Sequence, residues 1–265
     1  MTFDARGGKP PASKNNALFA IAVVAVVGGA FLVALKFPGA SKADSTSTRP
    51  QTIVATAEAP SVPTPAGWTS EAAKTYFQTL SRVDPGASAS LNKRLAKASR
   101  KPQPEQSEVV FEHAADLLKR HAADLARADT RHVDAILLMT RDRLRSASQS
   151  GSPWCQGSKF ADLDQATLAN KAALNRELKM LEEPLRDYGL ELVTRLLIAI
   201  EDAQAHPVNH GTLTQTDKAA MQGVMMSMVS DPQVMPLLMA AQTGGNPDEL
   251  VKSLNVCDLG ATAVI

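Results

Sequence analysis

Apolar and polar positions along the chain fall into three zones. Residues 1–16 are polar and hold Gly7, Gly8, Pro10 and Pro11, a composition that predicts a disordered N-terminus. The next stretch, "ALFAIAVVAVVGGAFLVAL" from Ala17 to Leu35, carries no charge. As a helix it rises about 28 Å, close to the ~30 Å hydrocarbon thickness of a bilayer. Such a helix satisfies its own backbone in lipid, so residues 17–36 are expected to form a single transmembrane anchor. The rival is a cleaved signal peptide, with "SKA" before Asp44 as a processing site; this apolar core exceeds the usual ~7–15 residues. Residues 37–67 hold five prolines and many Ser and Thr without a helical stripe. They predict a flexible linker averaging roughly 30 Å end to end.

From Trp68 onward the spacing is helical and no strand alternation of useful length occurs. Thr69 or Ser70 caps a helix to about Arg82, and "DPG" at 84–86 breaks it. A basic helix over about 88–99 ends before "KPQP". A long run from about Glu105 to Ala128 continues or kinks at Asp129-Thr130 into a second run ending near Ser146. A helix from about Ala161 to Glu183 stops at Pro184. An apolar one follows from Leu185 to about Ala205 and is placed at the centre of the core. Thr216 caps a methionine-rich helix to about Val229. Asp231-Pro232 starts another by the cap-plus-proline rule, and "ELVKSL" forms the last short one; the tail "GATAVI" is left open. The fold class is therefore all-α: an anchor, a Pro/Ser/Thr-rich linker, and a bundle of roughly seven or eight helices over residues 68–265. Abundant Ala and Leu, with aromatics at 4%, fit aliphatic helix packing.

Charge refines the picture. The net value of +1 gives no nucleic-acid signature. Arg6, Lys9 and Lys14 precede the anchor, and Lys36, Lys42 and Arg49 follow it, so the positive-inside rule leaves orientation open. Two cysteines, Cys155 and Cys257, lie beyond the anchor. An even pair in an exported domain predicts a disulfide, with two reduced buried thiols as the cytosolic alternative. That pair tips the expectation towards a cytoplasmic N-terminus, a single-pass inner-membrane anchor and a periplasmic C-terminal domain. CxxC spacing is absent, so neither zinc nor thioredoxin-like chemistry is indicated.

Three local features are candidate sites. "HAADLLKRHAADL" repeats His-Ala-Ala-Asp-Leu at 113 and 121. On a wheel at about 100° per residue with Val110 at 0°, the apolar face centres near 70°; His121 falls inside its margin and His113 near the polar boundary. The repeat rises ~12 Å, too far for both imidazoles to hold one ion, although His121 and Asp124 can meet at i, i+3. Patterned helix, pH-sensitive contact and metal site are the competing readings, in that order. Lys93, Arg94, Lys97, Arg100 and Lys101 form a basic island without an acid. Of 28 basic and 27 acidic residues, six and three precede Trp68, leaving 22 and 24 beyond it. A basic island in that setting can be a solvated face, or can meet anionic lipid or an acidic partner. Arg141, Arg143 and Arg145 read as cations closing a helix against its dipole.

Met221, Met225, Met226, Met228, Met235 and Met239 make six of the nine methionines. Thioether clusters fill cores or line adaptable grooves; copper(I) is a remote third reading. The carboxylate pairs Glu182-Glu183 and Glu201-Asp202 are expected to be solvated. No GxSxG, HExxH, Walker or GxGxxG motif occurs, so no catalytic residue, cofactor or metal is assigned. The expectation is a non-catalytic scaffold or interaction domain for another envelope protein. An envelope hydrolase acting on cell-wall or lipid material, or a lipid-binding carrier, is the alternative.

Overall fold

The computed structural model describes residues 64–65, 67–161, 163, 167, 170–212, 214–236, 239 and 248–264. The expected N-terminus, the anchor 17–36 and nearly all of the linker lie outside the described residues. Among the described residues every regular element is helical, and the strand-like pairing is a single bridge between Gln156 and Asn255. No helix among them is long and apolar enough to cross a membrane. The chain divides into two compact units, a larger one containing residues 64–143 and Asp164–Gln215, and a smaller one containing Leu144–Leu163 and Thr216–Ile265.

The larger unit opens with Ser70. Its hydroxyl accepts from the Ala73 amide at 3.3 Å and starts α1, Glu71–Val83. Tyr76, Phe77 and Leu80 fall on one side of α1 and are buried, as i, i+1, i+4 spacing requires. Asp84 then serves two helices. Its amide closes α1 on the Leu80 carbonyl, and its carboxylate accepts from the Ala87 amide at 2.8 Å to start α2, Pro85–Ala98. The "DPG" break is thus a one-residue joint, because a capping carboxylate followed by proline favours an immediate restart. After α2 come α3, Gln103–Arg120, the single turn α4, Ala122–Leu125, α5, Thr130–Gln149, α7, Lys171–Glu177, and α8, Leu185–Ala205.

Helix α8 packs chiefly against α1, and α2 packs on both α1 and α3. One cluster joins Trp68, Tyr76, Phe77, Leu80, Leu91, Leu95, Val110, Leu117, Leu190, Leu197 and Ile200. Trp68 meets Phe77 edge-on at 5.6 Å between ring centroids, and the Arg186 guanidinium lies 5.4 Å from the Trp68 ring. Gly189 lets the Phe111 ring lie on the α8 backbone; an added Cβ would sit 2.8 Å from that ring. The core position expected for α8 is therefore observed.

Two expectations shift. The long run breaks at His121, where the amide turns back to Leu117 and Lys119, in addition to the expected break before Thr130, where residues 126–129 are non-helical. The face of α3 is also rotated: its buried residues are Ser107, Val110, His113, Ala114 and Leu117, centred near 0° on the same wheel, roughly 70° from the expected position. His113 is buried and His121 ends the helix. The cause is that Leu117 and Ala114 join the buried cluster, while Phe111 and Leu118 are only partly buried against it.

In the smaller unit, α5 continues from Leu144, followed by a 3-10 turn, Pro153–Cys155, α6, Ser158–Ala161, α9, Gln215–Val229 (its first residue belonging to the larger unit), α10, Asp248–Lys252, and α11, Val256–Ala263. The tail left open in the sequence is helical as far as Ala263, in a helix capped by Asn255, whose side-chain oxygen accepts from the Cys257 and Asp258 amides at 3.1 and 3.2 Å. Of the run expected over 161–183, the described residues show the end of α6, helical Thr167, α7 and turns at 178–183, while residues 162, 164–166 and 168–169 lie outside the described residues. The sulfurs of Cys155 and Cys257 lie at bonding distance, 2.02 Å, within a cluster of Leu144, Ala147 and Ala261. Gly157 lies so close to the Val251 carbonyl that no Cβ fits there.

Two outcomes follow from this packing. Leu197→Ala, at a fully buried position, should cost about 3–5 kcal/mol in urea unfolding; a loss below about 1 kcal/mol would mean α8 is not the core helix. Replacing both Cys155 and Cys257 by serine opens a loop of 102 residues. It should cost about 4–5 kcal/mol in the chain-entropy model, and identical melting with and without reductant would contradict the crosslink.

Candidate interaction surfaces

Three surfaces emerge from the fold. The first is on the smaller unit. The side chains of Met221, Met225 and Met228 lie outside the described residues, while Met226, Met235 and Met239 are 67%, 42% and 53% exposed. Every described side chain of α9 is exposed. A core role does not fit Met226. Single exposed apolar side chains are ordinary; three large thioethers exposed within fourteen positions make a candidate contact surface.

The second is α2. Lys93, Arg94, Lys97, Arg100 and Lys101 are all exposed. Arg94 reaches Asp116 at 4.0 Å and Lys101 reaches Glu105 at 3.1 Å. The buried side of α2 holds Ala87, Ser88, Leu91, Leu95 and Ala98. At about 100° per residue Lys93 and Lys97 lie nearly opposite that side.

The third was visible in the sequence only as the His121–Asp124 pair. Asp202, near the C-terminal end of α8, accepts from Arg131 Nη2 at 2.6 Å and His132 Nε2 at 2.8 Å, and lies 3.4 Å from His206 Nδ1. His121 Nδ1 donates to Asp124 at 2.9 Å, and Gln204 donates to the same carboxylate at 3.1 Å. Glu201 pairs with Arg82. The expectation of solvated carboxylates at 201–202 is thus replaced by a hub. Two of its partners, Arg131 and His132, come from about seventy positions away, a separation no local pattern encodes, while His206 is one helical turn on.

The hub belongs to a longer seam. Tyr188 donates to Thr140 at 3.0 Å, Arg143 pairs with Glu191, and Arg195 Nε approaches Met139 Sδ at 3.1 Å. Together with Asp202 these contacts run antiparallel along α5 and α8. Arg143 is therefore bound to α8 instead of closing a helix, and α5 continues to Gln149. Val133 and Leu138 of α5 remain exposed.

Hydrogen bonds from His132 and Arg131 hold the Asp202 carboxyl down at about 2, and those from His121 and Gln204 lower Asp124. Burial lowers His113, helped by the Arg94 and Arg120 guanidiniums against Asp116 and Asp84. A cavity of about 320 Å³ beside the disulfide is lined by polar groups including Ser148, Ser152, Ser158 and Asn255. Among the described residues no group of His, Cys, Asp and Glu is placed to hold a metal.

These shifts set two acid windows. A depressed carboxyl contributes stability above its unfolded value of ~3.9 and loses it as pH falls through about 2. Asp202→Asn should therefore lower the urea midpoint at pH 6, and the gap to the parent should close between about pH 4 and 2. Neutral His113 keeps its contribution above its unfolded value of ~6.5 and loses it below. His113→Gln should flatten the stability curve just under pH 6.5. A parent curve flat from pH 7 to 2 would contradict both assignments.

No protein-family model, no curated protein and no solved structure matches this chain.

Proposed function

We propose that the protein is a membrane-anchored cell-envelope protein whose exported helical domain holds or recruits another envelope protein without catalysis. The observation that carries this reading is the exposure of three methionines, Met226 of α9 at 67%, Met235 at 42% and Met239 at 53%. An exposed, unbranched, polarizable surface suits a partner helix whose apolar stripe can repack against it. Export is supported by the Cys155–Cys257 pair at bonding distance, since such bonds persist in oxidising compartments. The anchor is supported by the charge-free run Ala17–Leu35.

The test uses the full chain in its own membrane. A photoreactive residue at position 226 should give one discrete adduct. Replacing Met226, Met235 and Met239 by serine should weaken recovery of that partner about tenfold or more, as loss of interface anchors does. Melting should barely move, because substitutions at exposed positions usually stay within ±0.5 kcal/mol. A C-terminal reporter should be active only outside the cytosol. Absence of any adduct, or a melting loss as large as that of a core truncation, would overturn the docking role. A reporter active only in the cytosol would overturn export.

A further inference from the structure

Between Asp84 and Glu105 the chain contains five cations and no acid. The structure arranges them unequally. Arg94 and Lys101 have carboxylate neighbours, Asp116 and Glu105. Lys93, Lys97 and Arg100 have no ion pair among the described residues. Elsewhere in the same unit Arg82, Arg131, Arg143 and Arg186 are each paired with a carboxylate. Lys93 and Lys97 recur at i, i+4 on one side of α2, and Arg100 follows in the turn just beyond its end. That side lies opposite Leu91 and Leu95, the residues that seat α2 in the core. Between and beside the cations the exposed residues are small: Ala89, Ser90, Ala96 and Ser99. Small neighbours leave the ammonium and guanidinium groups as the outermost atoms, so a broad flat surface can touch all three at once. A protein partner would be expected to find side-chain relief to grip, and α2 offers little.

We propose that this face of α2 is a docking surface for an anionic lipid bilayer, which lays the larger unit against the membrane. The proposal rests on the anchored reading above. The 31 residues between the proposed anchor and Trp68 are enough chain for α2 to reach the bilayer. Each cation near an anionic surface is worth ~1 kcal/mol, about a fivefold gain in occupancy, so three give about a hundredfold at low salt. Screening removes most of that gain by about 0.5 M salt, where the Debye length falls to a few ångströms.

The experiment reconstitutes the full chain in bilayers of phosphatidylcholine alone or with one third phosphatidylglycerol, and reads lysine acylation by mass spectrometry. Lys93 and Lys97 should be acylated about fivefold or more slowly in the anionic bilayer, and recover in 0.5 M salt. Lys74, on α1 beside Glu71, should change less than twofold and serves as the internal reference. Lys93→Glu with Lys97→Glu and Arg100→Glu should remove the lipid dependence at Lys101 without changing melting. Equal rates in both bilayers, or protection at Lys93 and Lys97 elicited only by an added acidic polypeptide, would overturn the proposal. Failure of the anchor is scored separately: a chain extracted by alkaline carbonate refutes the anchored reading. The same chain is then sedimented with phosphatidylglycerol vesicles. Salt-reversible binding lost in the triple variant would uphold the stripe, and its absence would refute it.

Discussion

Burial of one side of α8 against α1 is the contact on which the larger unit depends. Leu190, Leu197 and Ile200 meet Tyr76, Phe77 and Leu80 in a single apolar cluster, and removal of such surface from water is the dominant favourable term in folding. Everything else in that unit is placed by it. The Asp84 joint turns α2 back onto α1, and α3 closes over α2. Polar groups admitted to this core are few and are held at a cost. His113 is buried with its Nδ1 lacking a hydrogen-bond partner among the described residues, and burial pushes the Tyr76 phenol up. The buried imidazole makes the core sensitive to acid, and the buried phenol resists ionisation in alkali, in ways an aliphatic core does not.

The second principle of the larger unit is different in kind. Up to Arg143, α5 contributes no residue to the apolar cluster. It is held to α8 through Thr140, Met139, Arg143, His132 and Arg131. Such contacts are individually weak and salt-dependent. The central helices are thus fixed by area, and α5 by a row of directional contacts, each needing its own partner.

Legibility in the sequence follows the same division. The limits of α8, the Ser70 cap and the Asp84-Pro85 start depend on a few adjacent residues, and the sequence displays them. A wheel centred near 70° puts His113 at the polar boundary, but Leu117, one turn on, is buried in the cluster with Val110 and Ala114 and carries His113 inside. The run expected to Glu183 ended at Glu177, since periodicity does not say whether a helix finds a surface to pack on. Of the candidate surfaces, the exposure of α2 was anticipated by its charge. The exposure of Met226 was not, because methionine suits cores and grooves alike. The Asp202 hub was invisible: an aspartate at a helix end looks solvated until Arg131 and His132 are brought to it.

The smaller unit is discontinuous, with Asp164–Gln215 of the larger unit threaded between its halves. Synthesis from the N-terminus delivers Leu144–Leu163 early, then the whole of α8, and only afterwards α9 and Cys257. Cys155 therefore stays without its partner, able to react with other thiols, while the intervening helices are made. A thiol trapped at that stage would report how much of the chain had been completed.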